Sequence, residues 1–111
     1  MVNSHKNSII KEIIFSADEF KLKGYLHLPR LTNPPFVIGC HGLFADKNSP
    51  KQIELAQHCN QLNMAYFRFD HRGCGESSAP FEAVTSLDAR CRDLKAAANM
   101  LKARDDLGDQ M

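Results

Sequence analysis

Two stretches of the sequence decide the fold: residues 36–44 read FVIGCHGLF, and residues 64–77 read MAYFRFDHRGCGES. The first begins with a continuous apolar run, which is typical of a strand buried on both faces of a parallel sheet. The second begins with another strand-like run, and both continue into loops that contain glycine. The pattern predicts two strands, over residues 36–40 and 64–69. Ligands bind outside the carboxyl ends of strands in open α/β sheets, so both loops are candidates for a functional site.

A helix is predicted between these two strands. Ser49 is a suitable N-cap, Pro50 suits the first helical position, and Gln52 completes a capping box with Ser49. Asn63 is a suitable left-handed residue after the helix. The apolar residues at helical spacing, which we expect to face the sheet, are Leu55, Cys59 and Leu62.

A second helix is predicted after the second loop. Thr85, three residues before Asp88, can cap it, and residues 105–108, DDLG, close it. Its apolar stripe consists of Leu87, Cys91, Leu94, Ala98 and Leu101. Packing against the sheet is the favoured interpretation of this stripe, because helices of α/β domains need one, and a partner-binding face is the alternative.

The preceding residues predict a β-hairpin over residues 9–29. From Phe20 to Leu28, apolar residues alternate with residues that we expect to face solvent, which is typical of an antiparallel outer strand with one solvated face. The members of that solvated set are Lys21, Lys23, Tyr25 and His27. A hairpin followed by strand, helix, strand and helix predicts a single partial α/β domain over residues 1–111, in which residues 36–111 begin the parallel β/α core.

This order, with His-Gly at residues 41–42 and Asp-x-Arg-Gly-x-Gly-x-Ser at residues 70–77, resembles the α/β-hydrolase superfamily. The chain looks most like its esterase and serine-aminopeptidase-like branch, and the likeness covers essentially the whole sequence. The resemblance implies the N-terminal part of an α/β-hydrolase fold and a carboxylesterase-like serine hydrolase. One departure is Asn63, where relatives often have glycine, but asparagine tolerates the same left-handed conformation.

The resemblance also implies roles for the first loop. The backbone N–H of Leu43 would be one donor of the oxyanion hole, which stabilises charge on the carbonyl oxygen as a tetrahedral intermediate forms. His41, Gly42 and Phe44 would contribute to substrate binding, with Phe44 on the wall of the acyl pocket. Asp70 and the Arg-Gly-x-Gly loop after it are structural in the family, so Asp70 is not expected to be the triad acid.

The Ser-Asp-His triad itself is not expected within these residues. In the family, a nucleophile elbow, Gly-x-Ser-x-Gly between a strand and a helix, follows the second helix and one further strand. The sequence ends within that link, so we expect a fold truncated before the elbow strand and inactive alone. Residues 75–79, GESSA, superficially resemble an elbow, but Ser77 runs into Pro80 with no helix opening behind it.

No metal and no cofactor are expected. His41, His71 and Cys74 could approach one another at the carboxyl edge of the sheet, but only His71-x-x-Cys74 comes close to the paired spacings of zinc sites. The favoured interpretation is that His41 orients its loop by hydrogen bonding and that the cysteines fill space. His58 is expected to face solvent.

The composition is that of an ordinary globular protein, with 43% hydrophobic and 24% charged residues among 111. A net charge of +1 favours neither nucleic acid nor an anionic membrane as a partner. No apolar run reaches the roughly 18 residues that span a bilayer, and the N-terminus lacks a signal-peptide core. The four cysteines are therefore expected to be reduced thiols in the cytoplasm.

The favoured hypothesis is the N-terminal portion of a soluble serine hydrolase that acts on small-molecule esters or related acyl compounds. Two alternatives stay open. One is a non-enzymatic module that binds a partner, self-associates or assembles with a complementing C-terminal half. The other is a small binding protein in which the Leu43 amide holds an anion.

Overall fold

The computed structural model describes residues 9–41, 46–77 and 86–108. Within them the chain forms a hairpin, a strand, a helix, a strand and a helix, in the order that the sequence predicts. The elements are β1 (Ile9–Ala17), β2 (Phe20–Leu28), β3 (Phe36–Gly39), α1 (Pro50–Gln61), β4 (Ala65–Phe69) and α2 (Leu87–Lys102). No helix in these parts of the chain is both long and apolar enough to span a membrane.

The four strands form one mixed sheet in the order β1–β2–β4–β3. β1 and β2 form the antiparallel hairpin, and β2 pairs antiparallel with β4. β2 is therefore an inner strand, and not the outer strand that the sequence predicts. β4 and β3 are parallel, with Gly39 opposite Arg68, so their carboxyl ends lie side by side as predicted. Among the described strands, β3 has a hydrogen-bonded neighbour on one side only.

One face of the sheet carries the hydrophobic core. The rings of Phe15, Phe67 and Phe69 pack together with centroids 5.6 to 5.7 Å apart. The fully buried residues beside them, from β2 and α2, are Leu22, Leu26, Ala97 and Leu101. Burial of a large apolar side chain contributes about 1.5–3 kcal/mol, so this cluster holds the hairpin, β4 and α2 together.

The opposite face of the sheet packs against α1 and is polar. Tyr66 Oη donates to Gln52 Oε1 over 2.6 Å, and Asn60 Nδ2 donates to the backbone oxygen of His27 over 3.1 Å. His27 is only 6% exposed. The prediction that its side of β2 is solvated is therefore wrong at His27, because α1 covers that end of the strand, and it is right at Lys21, which is exposed.

The predicted ends of α1 are confirmed. The hydroxyl of Ser49 accepts a hydrogen bond from the N–H of Gln52. Asn63 follows the helix in the left-handed conformation, with φ of 62°. The N–H of Met64 donates to the backbone oxygen of Cys59 over 2.8 Å, which is a Schellman ending. The reciprocal half of the capping box does not form, because the Gln52 side chain pairs with a residue of β4 instead.

The predicted apolar stripe of α1 does not face the sheet. The buried residues of this helix are Gln52, Ala56 and Asn60. Leu55 and Leu62 are 45% and 69% exposed, and Cys59 is half-buried. The polar residues can be buried because β2 and β4 supply hydrogen-bond partners for them, which outweighs the preference for an all-apolar face.

The start and the buried face of α2 also differ from the prediction. Ser86 is its N-cap and accepts from the N–H of Ala89 over 3.0 Å, whereas Thr85 lies outside the described residues. The buried residues of the helix are Ala89, Asp93, Ala97 and Leu101. Of the predicted stripe, Leu101 is buried and Ala98 is half-buried, whereas Leu87, Cys91 and Leu94 are exposed. The sheet-packing interpretation is therefore wrong for these three residues, because the small side chains form the contact face.

Candidate active site

The candidate site lies where the chain leaves the carboxyl ends of β3 and β4. His41 follows β3 and is 5% exposed. Its Nε2 accepts a hydrogen bond from the N–H of His71 over 3.1 Å. Its backbone oxygen accepts from Nη2 of Arg90, on α2, over 2.6 Å. His41 is thus held by hydrogen bonds from the loop after β4 and from α2, as its interpretation as a hydrogen-bonding residue at the start of the loop requires.

Lys47, which precedes α1 in the chain, has a completely buried side chain. Lys47 Nζ lies 2.6 Å from Oδ2 of Asp70 and 2.7 Å from Oε1 of Glu76. The backbone N–H of Lys47 also donates to Oδ1 of Asp70 over 2.7 Å. Burial opposes the charge, but the two carboxylates outweigh it and raise the pKa of the Lys47 ammonium. Both oxygens of Asp70 are thus engaged in holding the chain, which agrees with a structural role for this residue.

The glycine pattern after β4 makes room for the Asp70 carboxylate. Gly75 has φ of 50°, a conformation that favours glycine, and a Cβ there would lie 2.3–2.6 Å from the carboxylate atoms of Asp70. The next N–H, that of Glu76, donates to Oδ2 of Asp70 over 2.9 Å. A side chain at position 75 would therefore displace the carboxylate that holds Lys47.

A second buried ion pair ties the β4 loop to α2. Asp93 has a completely buried side chain and accepts from the backbone N–H of Arg72 over 2.9 Å and from its Nε over 2.8 Å. His71 Nδ1 lies 3.4 Å from Oδ2 of Asp93, but it is not aligned as a hydrogen bond. Burial alone would raise the pKa of Asp93, yet the contacts with His71 and Arg72 outweigh burial and lower it. Arg72 also reaches Asp18, in the β1–β2 turn, over 2.8 Å.

The hydroxyl of Ser77 is engaged within the β4 loop. It donates to the backbone oxygen of Asp70 over 2.6 Å and accepts from the N–H of Lys23 over 3.2 Å. A nucleophilic serine instead presents its hydroxyl at the top of a sharp strand-to-helix turn, beside a general base. The described contacts of Ser77 are those of a residue that braces its loop.

Of the predicted site residues, the structure places His41 at the carboxyl end of β3. Gly42, Leu43 and Phe44 lie outside the described residues, so the roles assigned to them stay predictions. The described residues on either side of this segment, His41 and Lys47, contact His71 and Asp70, which follow β4. They do so at the sheet edge where the sequence predicts the site.

The described residues give little support to a metal site. The rings of His41 and His71 are 5.0 Å apart, but no group of three or more His, Cys, Asp or Glu in these parts of the chain is arranged to hold a metal. Burial raises the pKa of the Cys74 thiol, which disfavours the thiolate that binds metals. The prediction that cysteines fill space is wrong for Cys40 and Cys91, which are exposed. His58 is exposed, as predicted.

Three charged residues at this site were not predicted from the sequence: Lys47, Arg90 and Asp93. Their hydrogen-bond partners lie 23, 49 and 21 residues away in the chain, so no local pattern identifies these partners. Only Asp93 offered a signal, because it shares one face of α2 with Ala89 and Ala97 at four-residue spacing. An acidic residue on the contact face of a helix requires a partner in the core.

The chain is similar to a known protein family and to several solved structures. A family model described as the alpha/beta hydrolase fold matches residues 34–110. No curated protein matches the chain. Est1E from Butyrivibrio proteoclasticus, solved with ferulic acid bound, is 24% identical, with a TM-score of 0.80 over 86% of this chain and 39% of Est1E.

Two further solved structures share the fold, with similar sequence identities and TM-scores. The hypothetical protein PA2218 from Pseudomonas aeruginosa is 21% identical, with a TM-score of 0.80 over 96% of this chain and 34% of that protein. The Pyrococcus furiosus esterase Pf2001 is 19% identical, with a TM-score of 0.77 over 92% of this chain and 40% of the esterase. The chain thus spans between 34% and 40% of the length of these three proteins.

Proposed function

Because this chain belongs to the α/β-hydrolase fold family, we propose that it forms the N-terminal part of a serine hydrolase acting on carboxylic esters or related acyl compounds. Est1E was solved with ferulic acid, and the Pyrococcus furiosus protein is named an esterase, which supports the ester class. The contribution of this chain would be one half of the oxyanion hole, through the backbone N–H of Leu43.

The placement of His41 carries this proposal. His41 is buried at the carboxyl end of β3, and hydrogen bonds from His71 and Arg90 hold its imidazole and its backbone oxygen. Leu43 follows two residues later in the sequence. An oxyanion donor must be fixed before reaction, because its value lies in not having to reorganise as charge develops. In this proposal His41, Gly42 and Phe44 contribute to the acyl-binding side of the site.

The nucleophile, acid and base would come from sequence outside these 111 residues. The sequence contains no Gly-x-Ser-x-Gly, and the described contacts of Ser77 and Asp70 are those of loop braces. The substrate would thus be a small ester or acyl compound bound by the assembled enzyme. A complementing C-terminal half, or a second copy of this chain, is the proposed protein partner, and the cytoplasm is the proposed compartment.

Turnover of a p-nitrophenyl ester tests this role, with the chain co-expressed with a polypeptide that supplies an elbow serine, acid and histidine. Leu43→Pro removes the backbone donor and should lower kcat by about a hundredfold or more. Leu43→Ala keeps the amide and serves as the matched control, with a far smaller effect. Equal losses in the two variants, both shown to be folded, would refute a backbone role for Leu43.

A further inference from the structure

A cavity of about 310 Å³ lies between β3 and α1, on the side of the sheet that carries the polar layer. We propose that this cavity is a binding site for a small apolar carboxylate. The apolar body of the ligand would contact β3 and α1, and its carboxylate would be bound by Gln52 and Lys51. The inference goes beyond the proposed function, because it needs neither Leu43 nor a nucleophile.

The walls of the cavity are largely apolar. They include Val37 and Leu55, which are 36% and 45% exposed although both are large apolar side chains. Cys59 also lines the cavity, and burial raises the pKa of its thiol. This thiol is therefore neutral at pH 7 and acts as a polarisable apolar group. An apolar ligand body would remove these walls from water, which is favourable.

One buried donor of the cavity lacks an acceptor. Gln52 lines the cavity and is only 4% exposed, and its Oε1 accepts from Tyr66 Oη over 2.6 Å. Its Nε2 is buried and has no hydrogen-bond partner in the parts of the chain that the structure describes. Because a buried donor without an acceptor is unfavourable, an oxygen of a ligand would complete the hydrogen bonding of this side chain.

The charge of the lining favours an anionic acceptor over a neutral one. Among the described residues that line the cavity, Lys51 alone carries a permanent charge, and none is Asp or Glu. Lys51 is exposed and forms no ion pair with another described residue. One carboxylate would thus supply both the acceptor for Gln52 and the counter-charge for Lys51. A dicarboxylate would fit less well, because these walls offer no second cation.

The size of the cavity limits the ligand to a small molecule. Ligand sites usually enclose about 300–1,000 Å³, so this cavity lies at the lower end of the range. Its lining extends from His41, which follows β3, to Cys59, near the end of α1. A molecule such as 3-phenylpropionate has the required features, because it joins one apolar body to one carboxylate.

Protection of the thiols from alkylation tests the proposal, with 3-phenylpropionate as the probe. Cys40 and Cys59 line the cavity, whereas Cys91, exposed on α2, is the internal control. Modification of each cysteine by iodoacetamide is followed by peptide mass spectrometry at sub-micromolar chain concentration. At a probe concentration about ten times its Kd, alkylation of Cys40 and Cys59 should slow about tenfold, and that of Cys91 should not change. 3-Phenylpropylamine, which has the same phenyl group and the opposite charge, should not protect.

Two variants test the assigned carboxylate contacts. Gln52→Leu removes the donor and should raise the Kd of the probe about tenfold, because hydrogen bonds to charged groups are strong. Lys51→Met removes the ammonium and should raise the Kd about threefold, since exposed charge pairs are weak. Lys95→Met, at an exposed position of α2 outside the cavity, is the matched control and should leave the Kd unchanged.

Unprotected Cys40 and Cys59 at millimolar probe would overturn the proposal. Equal protection of Cys91, or equal protection by the amine, would also overturn it, because binding would then not depend on this cavity or on a carboxylate. Protection that appears without the probe and grows with chain concentration would assign the cavity to a second copy of the chain and overturn the proposal. If Gln52→Leu does not fold, Lys51→Met decides, and an unchanged Kd in this variant would refute the carboxylate contact.

Discussion

Arg68 Nε donates a hydrogen bond to Nε2 of His27 over 2.8 Å, between two neighbouring strands and beneath α1. An imidazole nitrogen can accept only when it carries no proton, so this contact requires neutral His27. Burial, and then the positive charge of Arg68, lower the pKa of His27 from 6.5 to about 4. The polar layer between the sheet and α1 is therefore built for a neutral histidine.

Stability of the fold should consequently fall as the pH drops from 6.5 towards 4. In this window the unfolded chain binds a proton at His27 and the folded chain does not, so protonation favours the unfolded state. One pKa unit corresponds to about 1.4 kcal/mol. Because solvent screens part of this effect, we expect His27 to lower the free energy of unfolding by roughly 1–2 kcal/mol over this pH range. Urea unfolding between pH 4 and 7.5 would measure it, with His58→Gln as the exposed control. His27→Gln should flatten this pH dependence, and an unchanged slope would rule out His27 as its source.

Of the two carboxylates of α2, Asp93 should contribute more to the free energy of unfolding than Asp88. Asp93→Ala removes the buried partner of Arg72 and leaves it only the half-exposed carboxylate of Asp18, and breaking a buried pair costs about 3–5 kcal/mol. Asp88→Ala, in the first turn of the same helix, removes a 79% exposed side chain and its pairing with Arg92, and should cost less than about 1 kcal/mol. Equal losses of unfolding free energy in the two variants would contradict the assigned ion pair.

Gly39, the last residue of β3, should not tolerate a methyl group. A Cβ there would lie 1.7 Å from Tyr66 Oη and 2.3 Å from Gln52 Oε1. Gly39→Ala should therefore destabilise by about 1–3 kcal/mol, the usual range for overpacking. In a Tyr66→Leu background, which removes the clashing ring, the added cost of Gly39→Ala should shrink. A cost that is the same in both backgrounds would show that Tyr66 is not the obstacle.

The purified 111-residue chain should self-associate through β3. β1 and β3 are the two edge strands of the described sheet, but β1 carries Lys11 and Glu12, whereas β3 has no charged residue to block its edge, and an unblocked edge is a template for pairing. Val37→Lys places a charge on the edge and should reduce association in sedimentation velocity runs. Ile14→Lys, at a 61% exposed position on the opposite edge strand, is the control and should change nothing. A monomeric chain with strongly protected amides at residues 37–39 would contradict this expectation.

The order of elements and the ends of α1 could be predicted from the sequence because their causes are local. Alternation marks the hairpin, and Ser49 and Asn63 mark the ends of a helix by their own conformational preferences. The expectation that β3 and β4 end side by side also follows from local runs, combined with the rule that parallel strands share an edge.

The buried faces of the helices could not be predicted in the same way. The leucine and cysteine stripes suggested one face, whereas the observed faces include Gln52, Asn60 and Asp93. These side chains are buried because Tyr66, His27 and Arg72 supply partners from distant parts of the chain. The burial of Lys47 has the same origin, because it depends on Asp70 and Glu76. The spacing of Asp93 with Ala89 and Ala97 is the exception, because the other polar residues and their remote partners leave no mark on local periodicity.

In the proposed function these residues supply the oxyanion side of a serine hydrolase and no nucleophile of their own. Incubation of the purified 111-residue chain with a fluorophosphonate probe, which labels activated serines, distinguishes this role from that of a complete enzyme. We expect no covalent labelling, because the Ser77 hydroxyl is committed to Asp70 and Lys23. Labelling of the wild-type chain that disappears in Ser77→Ala would refute the proposed function and make Ser77 the nucleophile.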